Sequence, residues 1–246
     1  MAKKKAAPVI DSFDLEPGRI LARKYEIVSK LGAGWEGEVY RIRERTTGIE
    51  RAAKLFYPQR NLRSKSFKFY ARQLHKLRQC PIVIQYHTEE RILFRRTPIT
   101  VLVSEFVEGV MLSEFLKDQP GQRLHHYQAL HLLHALIEGI ECIHLSREYH
   151  GDLHSDNVMV SRYGLRFKLQ LLDFFHWAAP KRESLQDDVC AVIRLFYDSL
   201  GGQRFYSKQP QAIKDICLGL KRSLILKRFP TATHLRIHIE TMQWSE

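Results

Sequence analysis

HGDLHSDN, at His150–Asn157, decides how this 246-residue chain reads. Asp152 and Asn157 stand five residues apart in this polar run, and sixteen residues beyond Asn157 the apolar stretch LQLLDFF carries Asp173. Carboxylate and amide oxygens are the ligands a hard divalent cation prefers, and a further carboxylate beside them suits proton transfer. Upstream, GAGWEGEV places glycines at Gly32, Gly34 and Gly37. There the backbone N–H groups can approach phosphate with no Cβ in the way. Tyr25, Ile27 and Leu31 lead into the glycines, and Val39, Tyr40 and Ile42 follow. This alternation predicts strand, tight turn, strand, whereas a dinucleotide-binding loop would open a helix. Lys54 follows in the segment AAKLF.

In this order the segments resemble the eukaryotic-type protein kinase superfamily, whose signature is a glycine loop ending in valine, a strand lysine, an H-R-D catalytic loop closing on asparagine, and D-F-G. The likeness covers roughly residues 20–240, and PGRILARKYEIVSKLGAGWEGEVYRIRE is similar to bacterial eukaryote-like serine/threonine kinases. It implies an α+β bilobal kinase-like fold, with a β-rich N-lobe containing one helix and a mainly helical C-lobe. Residues 1–19 are expected to form a basic flexible tail, 20–103 the N-lobe, 104–109 the hinge and 110–246 the C-lobe. The implied cofactors are ATP and Mg2+. Gly32, Gly34, Gly37, Val39, Ala52 and Lys54 would face the nucleotide, with Glu105 and Val107 at the adenine and Ser104 as gatekeeper. Lys54 would pair with the phosphates, and Asp152, with His150 and His154 in the same catalytic loop, would accept or orient the proton of the attacking hydroxyl. Asn157 and Asp173 would hold magnesium.

Several departures bear on what is phosphorylated. No acidic residue occurs between Glu50 and Glu89, so the helix after Lys54 lacks the glutamate that pairs with that lysine in the family. Gln73 as a neutral acceptor, Lys54 positioned by Asp173 and the nucleotide, or lost catalysis are the readings left open. Phe175 replaces the glycine of D-F-G, which makes a flipped inactive loop less accessible. Asp188 follows Asp173 by only fifteen positions. The run Ala178–Pro180 resembles the start of A-P-E, but Lys181 takes the glutamate position, so little chain is left for a phosphorylated switch loop. Gly151 and His154 replace the usual arginine and lysine, and HGDLHSDN resembles the loop of small-molecule phosphotransferases. Three readings follow: a compact serine/threonine protein kinase, a small-molecule or lipid-linked sugar kinase, and a nucleotide-binding pseudokinase scaffold. The first is preferred, with a protein substrate as acceptor, whereas the second would take a small-molecule alcohol.

The remaining chain fits this frame. His126–His144 carries Leu130, Leu133, Ile137, Ile140 and Ile143 at helical spacing. DDVCAVIRLFYDSL places Val189, Val192, Ile193, Phe196, Tyr197 and Leu200 on one face, with Asp188 where the family's aspartate braces the catalytic loop. PTATHLRIHIETM resembles the closing helix, with Thr231 or Thr233 as its cap. A helix is expected near Ser64–Arg78.

The formal net charge is +12, and Arg60, Arg63, Lys65, Lys68, Arg72, Lys76 and Arg78 form a basic cluster. That cluster suits an acidic protein, a nucleic acid, an anionic lipid surface or simply a solvated face, and no RNA-binding motif accompanies it to support the nucleic acid. No apolar run of membrane-spanning length occurs, and MAKKKAAPV lacks the apolar core of a secretory signal. Cys80, Cys142, Cys190 and Cys217 lack CxxC spacing and are expected to be reduced core thiols of a cytoplasmic protein. His131 and His134 lie one helical turn apart with no third ligand evident, which favours a structural role over a metal.

Overall fold

The computed structural model describes residues 9–164, 166–174 and 180–243. The chain divides into two compact units, one formed by the chain up to Arg78 together with Ile84–Val107, the other by Gln79–Val83 together with the chain from Glu108 onward. The second unit therefore claims Gln79–Val83, a segment assigned to the N-lobe by sequence.

In the first unit, β1 (Ile20–Leu21), β2 (Tyr25–Ala33), β3 (Gly37–Glu44), β4 (Glu50–Phe56), β5 (Tyr86–Phe94) and β6 (Thr97–Glu105) form one sheet in the order β1-β2-β3-β4-β6-β5. Every pairing is antiparallel. The glycine segment is the turn between β2 and β3, closed by the Gly34 N–H donating to the Gly37 carbonyl at 2.9 Å. Gly37 is required by packing, since a Cβ there would lie 1.9 Å from the Leu55 carbonyl oxygen. Helix α1 (Lys65–Lys76) follows β4. Asn61, in the turn before it, satisfies one first-turn donor, its Oδ1 accepting from the Phe67 N–H at 3.1 Å. The helix buries Phe67, Tyr70, Gln73 and Leu74 and exposes Lys65, Lys68, Arg72 and Lys76.

The core of this unit gathers Ile27, Tyr40, Ile42, Ala53, Leu55, Val101 and Val103 from one face of the sheet, and Ile10, Phe13 and Leu15 from the segment before it. The expectation of a flexible tail to residue 19 thus does not hold for residues 10–15; its first eight residues lie outside the described ones. Phe13 packs its ring 5.3 Å from both Tyr57 and Phe94. The arm is also tied by polar contacts. Glu38, 1% exposed, accepts from the Phe13 N–H at 3.2 Å, from the Ser12 hydroxyl at 2.9 Å and from the Tyr40 hydroxyl, and pairs with Lys30 at 3.0 Å. Burial alone would raise the Glu38 pKa, but the hydrogen bonds from Tyr40, Lys30, Ser12 and Phe13 prevail and hold it below the ordinary value. Burial and the same carboxylate push the Tyr40 phenol up to about 12.

The second unit contains a small antiparallel sheet of β7 (Val110–Met111), β8 (Val158–Tyr163) and β9 (Arg166–Leu171). Its helices are α2 (Leu112–Lys117), α3 (His126–Leu145), α4 (Arg182–Ser199), α5 (Gln203–Tyr206), α6 (Gln211–Cys217), α7 (Arg222–Arg228) and α8 (Ala232–Thr241). Helix α3 is central and buries Leu132, Leu133, Leu136, Ile137, Ile140 and Ile143. Leu130, expected on that face, is only partly covered. Helix α4 adds Val189, Val192, Ile193, Leu195 and Phe196, leaving Tyr197 half-buried. Thr231 caps α8, its hydroxyl accepting from the His234 N–H. His134 lies between Glu138 and Glu240 and links α3 to α8, with Nε2 3.0 Å from the Glu240 carboxylate.

Gln79–Val83 docks on this unit through three devices. The Leu171 N–H donates to the Ile82 carbonyl at 2.7 Å, and the Gln170 amide donates to the Pro81 carbonyl at 3.0 Å. Gly139 of α3 leaves room for Ile82, whose side chain would lie 2.3 Å from any Cβ at that position. Cys80 and Cys142 form a disulfide, with Cα atoms 5.7 Å apart. The expectation of four reduced thiols is corrected for this pair. The two cysteines are 62 residues apart and carry no spacing signal, and the docking of 79–83 onto α3 is what brings them together. Cys190 and Cys217 are free, and burial pushes the Cys217 thiol up to about 12. Among the described residues no helix is long and apolar enough to cross a membrane.

Two outcomes test these cores. Glu38→Gln is expected to cost about 2 kcal/mol in urea denaturation at pH 7, the range for losing charge-assisted hydrogen bonds. Because the folded-state pKa of Glu38 is depressed, its contribution is present above the unfolded carboxyl value of about 4.3 and fades as pH falls below it, so the wild-type advantage over the variant shrinks toward pH 3. Opening the Cys80–Cys142 bridge by Cys142→Ser is expected to lower stability by about 4 kcal/mol, the chain-entropy value for a loop of this length. Mass spectrometry of the intact, non-reduced chain would show the bridge directly.

Candidate active site

The catalytic-loop sequence lies in the second unit, between α3 and β8. Its backbone is held by Asp188 of α4, a carboxylate 1% exposed. Asp188 accepts from the His150 N–H at 2.7 Å, the Gly151 N–H at 3.0 Å and the His144 ring at 3.1 Å. Gly151 adopts φ 82°, a left-handed turn where the arginine usual in the family would be strained. His150 is fully buried, its Nε2 2.9 Å from the Leu172 carbonyl and its Nδ1 accepting the Asp152 N–H at 3.3 Å. One ring nitrogen donates and the other accepts, so the imidazole is neutral. Burial drives its pKa down, against the opposing pull of Asp188 and the Leu172 carbonyl. The ring also packs 4.7 Å from Phe174. His150 therefore joins the loop to the strand exit carrying Asp173 and touches no solvent, which makes it a framework residue.

Asp152 itself is solvent-facing. The Asn157 amide nitrogen donates to its carbonyl at 2.8 Å and approaches its carboxylate at 3.5 Å, leaving the amide oxygen of Asn157 available to a cation. His154 places Nε2 3.7 Å from the Asp152 carboxylate. Asn157 and Asp173 are drawn together through the backbone, since the Leu172 N–H donates to the Asn157 carbonyl at 2.9 Å. Asp173 is exposed at φ 48°. An amide oxygen and a carboxylate are donor types that fit a hard cation such as Mg2+. Phe175, Ala178 and Ala179, on which expectations about the short activation segment rest, lie outside the described residues.

In the first unit, strand register collects the other candidates. Val39 pairs with Lys54, and Ala52 with Ser104, so these four share the face of the sheet opposite the core. Ser104 is buried, and the Glu105 N–H is bonded to the Gln85 carbonyl at 2.9 Å. Gly32 and Gly34 have no atom within 4 Å of an added Cβ, so an open space lies above the turn where a phosphate can approach the backbone. The Lys54 ammonium pairs with Glu36 of the glycine turn at 3.0 Å and lies 4.8 Å from the Tyr70 ring centroid of α1. Glu36 is a residue that reading by sequence passed over. Its signal was an acid inside the glycine turn facing a helix with none.

A sequence model described as "Protein kinase domain" matches residues 25–193. The chain belongs to the protein kinase family. The rice (Oryza sativa subsp. japonica) protein named "Putative cyclin-dependent kinase F-2" is 29% identical over 154 residues, 61% of this chain and 46% of the rice protein. Mouse (Mus musculus) "Death-associated protein kinase 2" is 28% identical over 156 residues, covering 61% and 40%. "Serine/threonine-protein kinase bur1" of Neurospora crassa is 28% identical over 158 residues, covering 61% and 27%. This kinase-family chain thus spans less than half the length of these relatives.

The brace on the catalytic loop is testable apart from activity. Asp188→Ala leaves two N–H donors and a histidine ring without their buried acceptor, and is expected to lower the stability of the second unit by about 3 kcal/mol. Hydrogen exchange should show the His150 and Gly151 amides losing protection.

Proposed function

We propose that this chain is an ATP-dependent protein kinase that transfers the γ-phosphoryl group to serine or threonine hydroxyls. The observation that carries the reading is Asp152, a solvent-facing carboxylate on a loop whose backbone is fixed from behind by Asp188 and whose flank is held by Asn157. A carboxylate so placed can accept or orient the proton of an incoming hydroxyl. Lys54 would bind the α and β phosphates of ATP, and the backbone of Gly32 and Gly34 would approach them. Glu105 and Val107 would offer main-chain groups to adenine, against Val39 and Ala52. Asn157 and Asp173 would hold Mg2+, which when bound neutralises phosphate charge. The serine/threonine names of relatives support the acceptor class.

His154 favours a second reading. A histidine 3.7 Å from Asp152, where serine/threonine kinases usually place lysine, suits a small-molecule alcohol such as a lipid-linked sugar as acceptor. The exposed Arg60, Arg63, Lys68, Arg72 and Arg78 give an acidic protein partner a surface to meet.

Purified chain incubated with radiolabelled ATP, Mg2+ and generic protein substrates is expected to place label on protein. Asp152→Ala should lower the rate about a thousandfold, within the range for loss of a general base. Label appearing only on an added sugar or lipid alcohol would move the assignment to the second reading, and no transfer to either acceptor would overturn the proposal.

A further inference from the structure

The family's conserved ion partner for the strand lysine is a glutamate on the helix that follows it. Here α1 contains no carboxylate, nor does any residue between Glu50 and Glu89. Yet Lys54 has a carboxylate partner. Glu36 Oε2 lies 3.0 Å from the Lys54 ammonium, with both side chains mostly shielded, at 25% and 13% exposure. Resting on the kinase reading above, we propose that Glu36 is the positioning residue for Lys54, supplying from the glycine turn the carboxylate that the helix lacks.

Three observations support the substitution. First, the place is structurally fixed. The Glu36 carbonyl accepts the Tyr57 N–H at 2.9 Å, and the next residue, Gly37, is pressed against the Leu55 carbonyl. The backbone bearing Glu36 is thereby anchored to the strand that bears Lys54 and to the residue following that strand. Second, α1 presents a ring where a carboxylate would be needed. Tyr70 is buried, with its centroid 4.8 Å from the Lys54 ammonium, and Phe56 adds a second ring at 5.6 Å. Aromatic faces attract an ammonium without competing for its directional hydrogen bonds. Third, the neighbouring acid is committed elsewhere. Glu38, two residues on, is buried against Ser12, Phe13 and Tyr40 on the opposite face of the sheet.

The arrangement has a regulatory meaning. In an enzyme whose lysine depends on a helix glutamate, moving the helix breaks the pair. Here the ion pair is closed between the glycine turn and β4, so it does not run through α1.

Steady-state kinetics and Mg-ATP binding by calorimetry on the full chain test this. Wild type should bind and transfer. Glu36→Gln should lower kcat about ten- to a hundredfold, the range for losing a charge-assisted hydrogen bond, with a smaller change in ATP affinity. In a Lys54→Met background, Glu36→Gln should have no further effect. Tyr70→Glu added to Glu36→Gln should restore part of the rate by returning a carboxylate to the helix, and Glu36→Asp should retain more activity than Glu36→Gln. Unchanged kcat in Glu36→Gln, or an equal loss in both lysine backgrounds, would overturn the assignment of Glu36 while leaving the kinase reading intact. Wild type that neither binds Mg-ATP nor transfers phosphate would instead overturn the kinase reading, and the role of Glu36 with it.

Discussion

A buried carboxylate organises the second unit. Asp188, on α4, is removed from water and takes three donors, two of them main-chain N–H groups of the catalytic loop and one the ring of His144 at the end of α3. A carboxylate left unpaired in that position would be costly, and so would the orphaned N–H groups, so each side of the contact enforces the other. The consequence is that the loop between α3 and β8 has one backbone path. His150 then fills the space beneath it as a neutral ring, and Asp152 is turned outward to solvent. The loop path and its attachment to α4 follow from satisfying that one group, and the contacts of Leu172 with His150 and Asn157 tie the segment before Asp173 to the same loop.

The first unit uses the same device with a different result. Glu38 is as buried as Asp188, but its donors come from the arm preceding the sheet and from Tyr40 and Lys30. It thereby divides the two acids of the glycine turn by the face they occupy. Glu38 points into the core, and Glu36, on the other face, meets Lys54. Strand alternation alone would put residues two apart on one face; Glu36 escapes it because it precedes the start of β3 and is carried over by the turn.

Strand, turn and strand around the glycines and the helix ending before His150 were legible from the chain alone, because each rests on local periodicity or on residue types at short spacing. The bracing role of Asp188, 36 positions beyond Asp152, was implied by the family resemblance and not by spacing. What was not legible depends on long-range docking. Phe13 and Ile10 read as tail because apolar residues scattered among Pro, Asp and Glu have no period; only the sheet's core face reveals where they go. The Cys80–Cys142 bridge needs Gln79–Val83 to leave one unit for the other, which no spacing rule announces. Lys54 and Glu36 are eighteen residues apart on neighbouring backbone segments, and the absent helix glutamate drew attention to α1 and away from the turn.

The excursion of Gln79–Val83 also bears on how the chain can be divided. The backbone passes from the first unit to the second after Arg78, returns at Ile84, and passes again after Val107. A fragment beginning at Glu108 would therefore lack Val83, which bridges to Leu171 beside its strand pairing with Val158, the side chain that fills the gap at Gly139 and the mate of Cys142, and would expose an apolar seam along α3. A protease cutting at Val107 would leave the halves still joined through the earlier crossing. Neither unit is a contiguous stretch of chain, so a genetic split after Val107 leaves the half from Glu108 onward without part of its own packing.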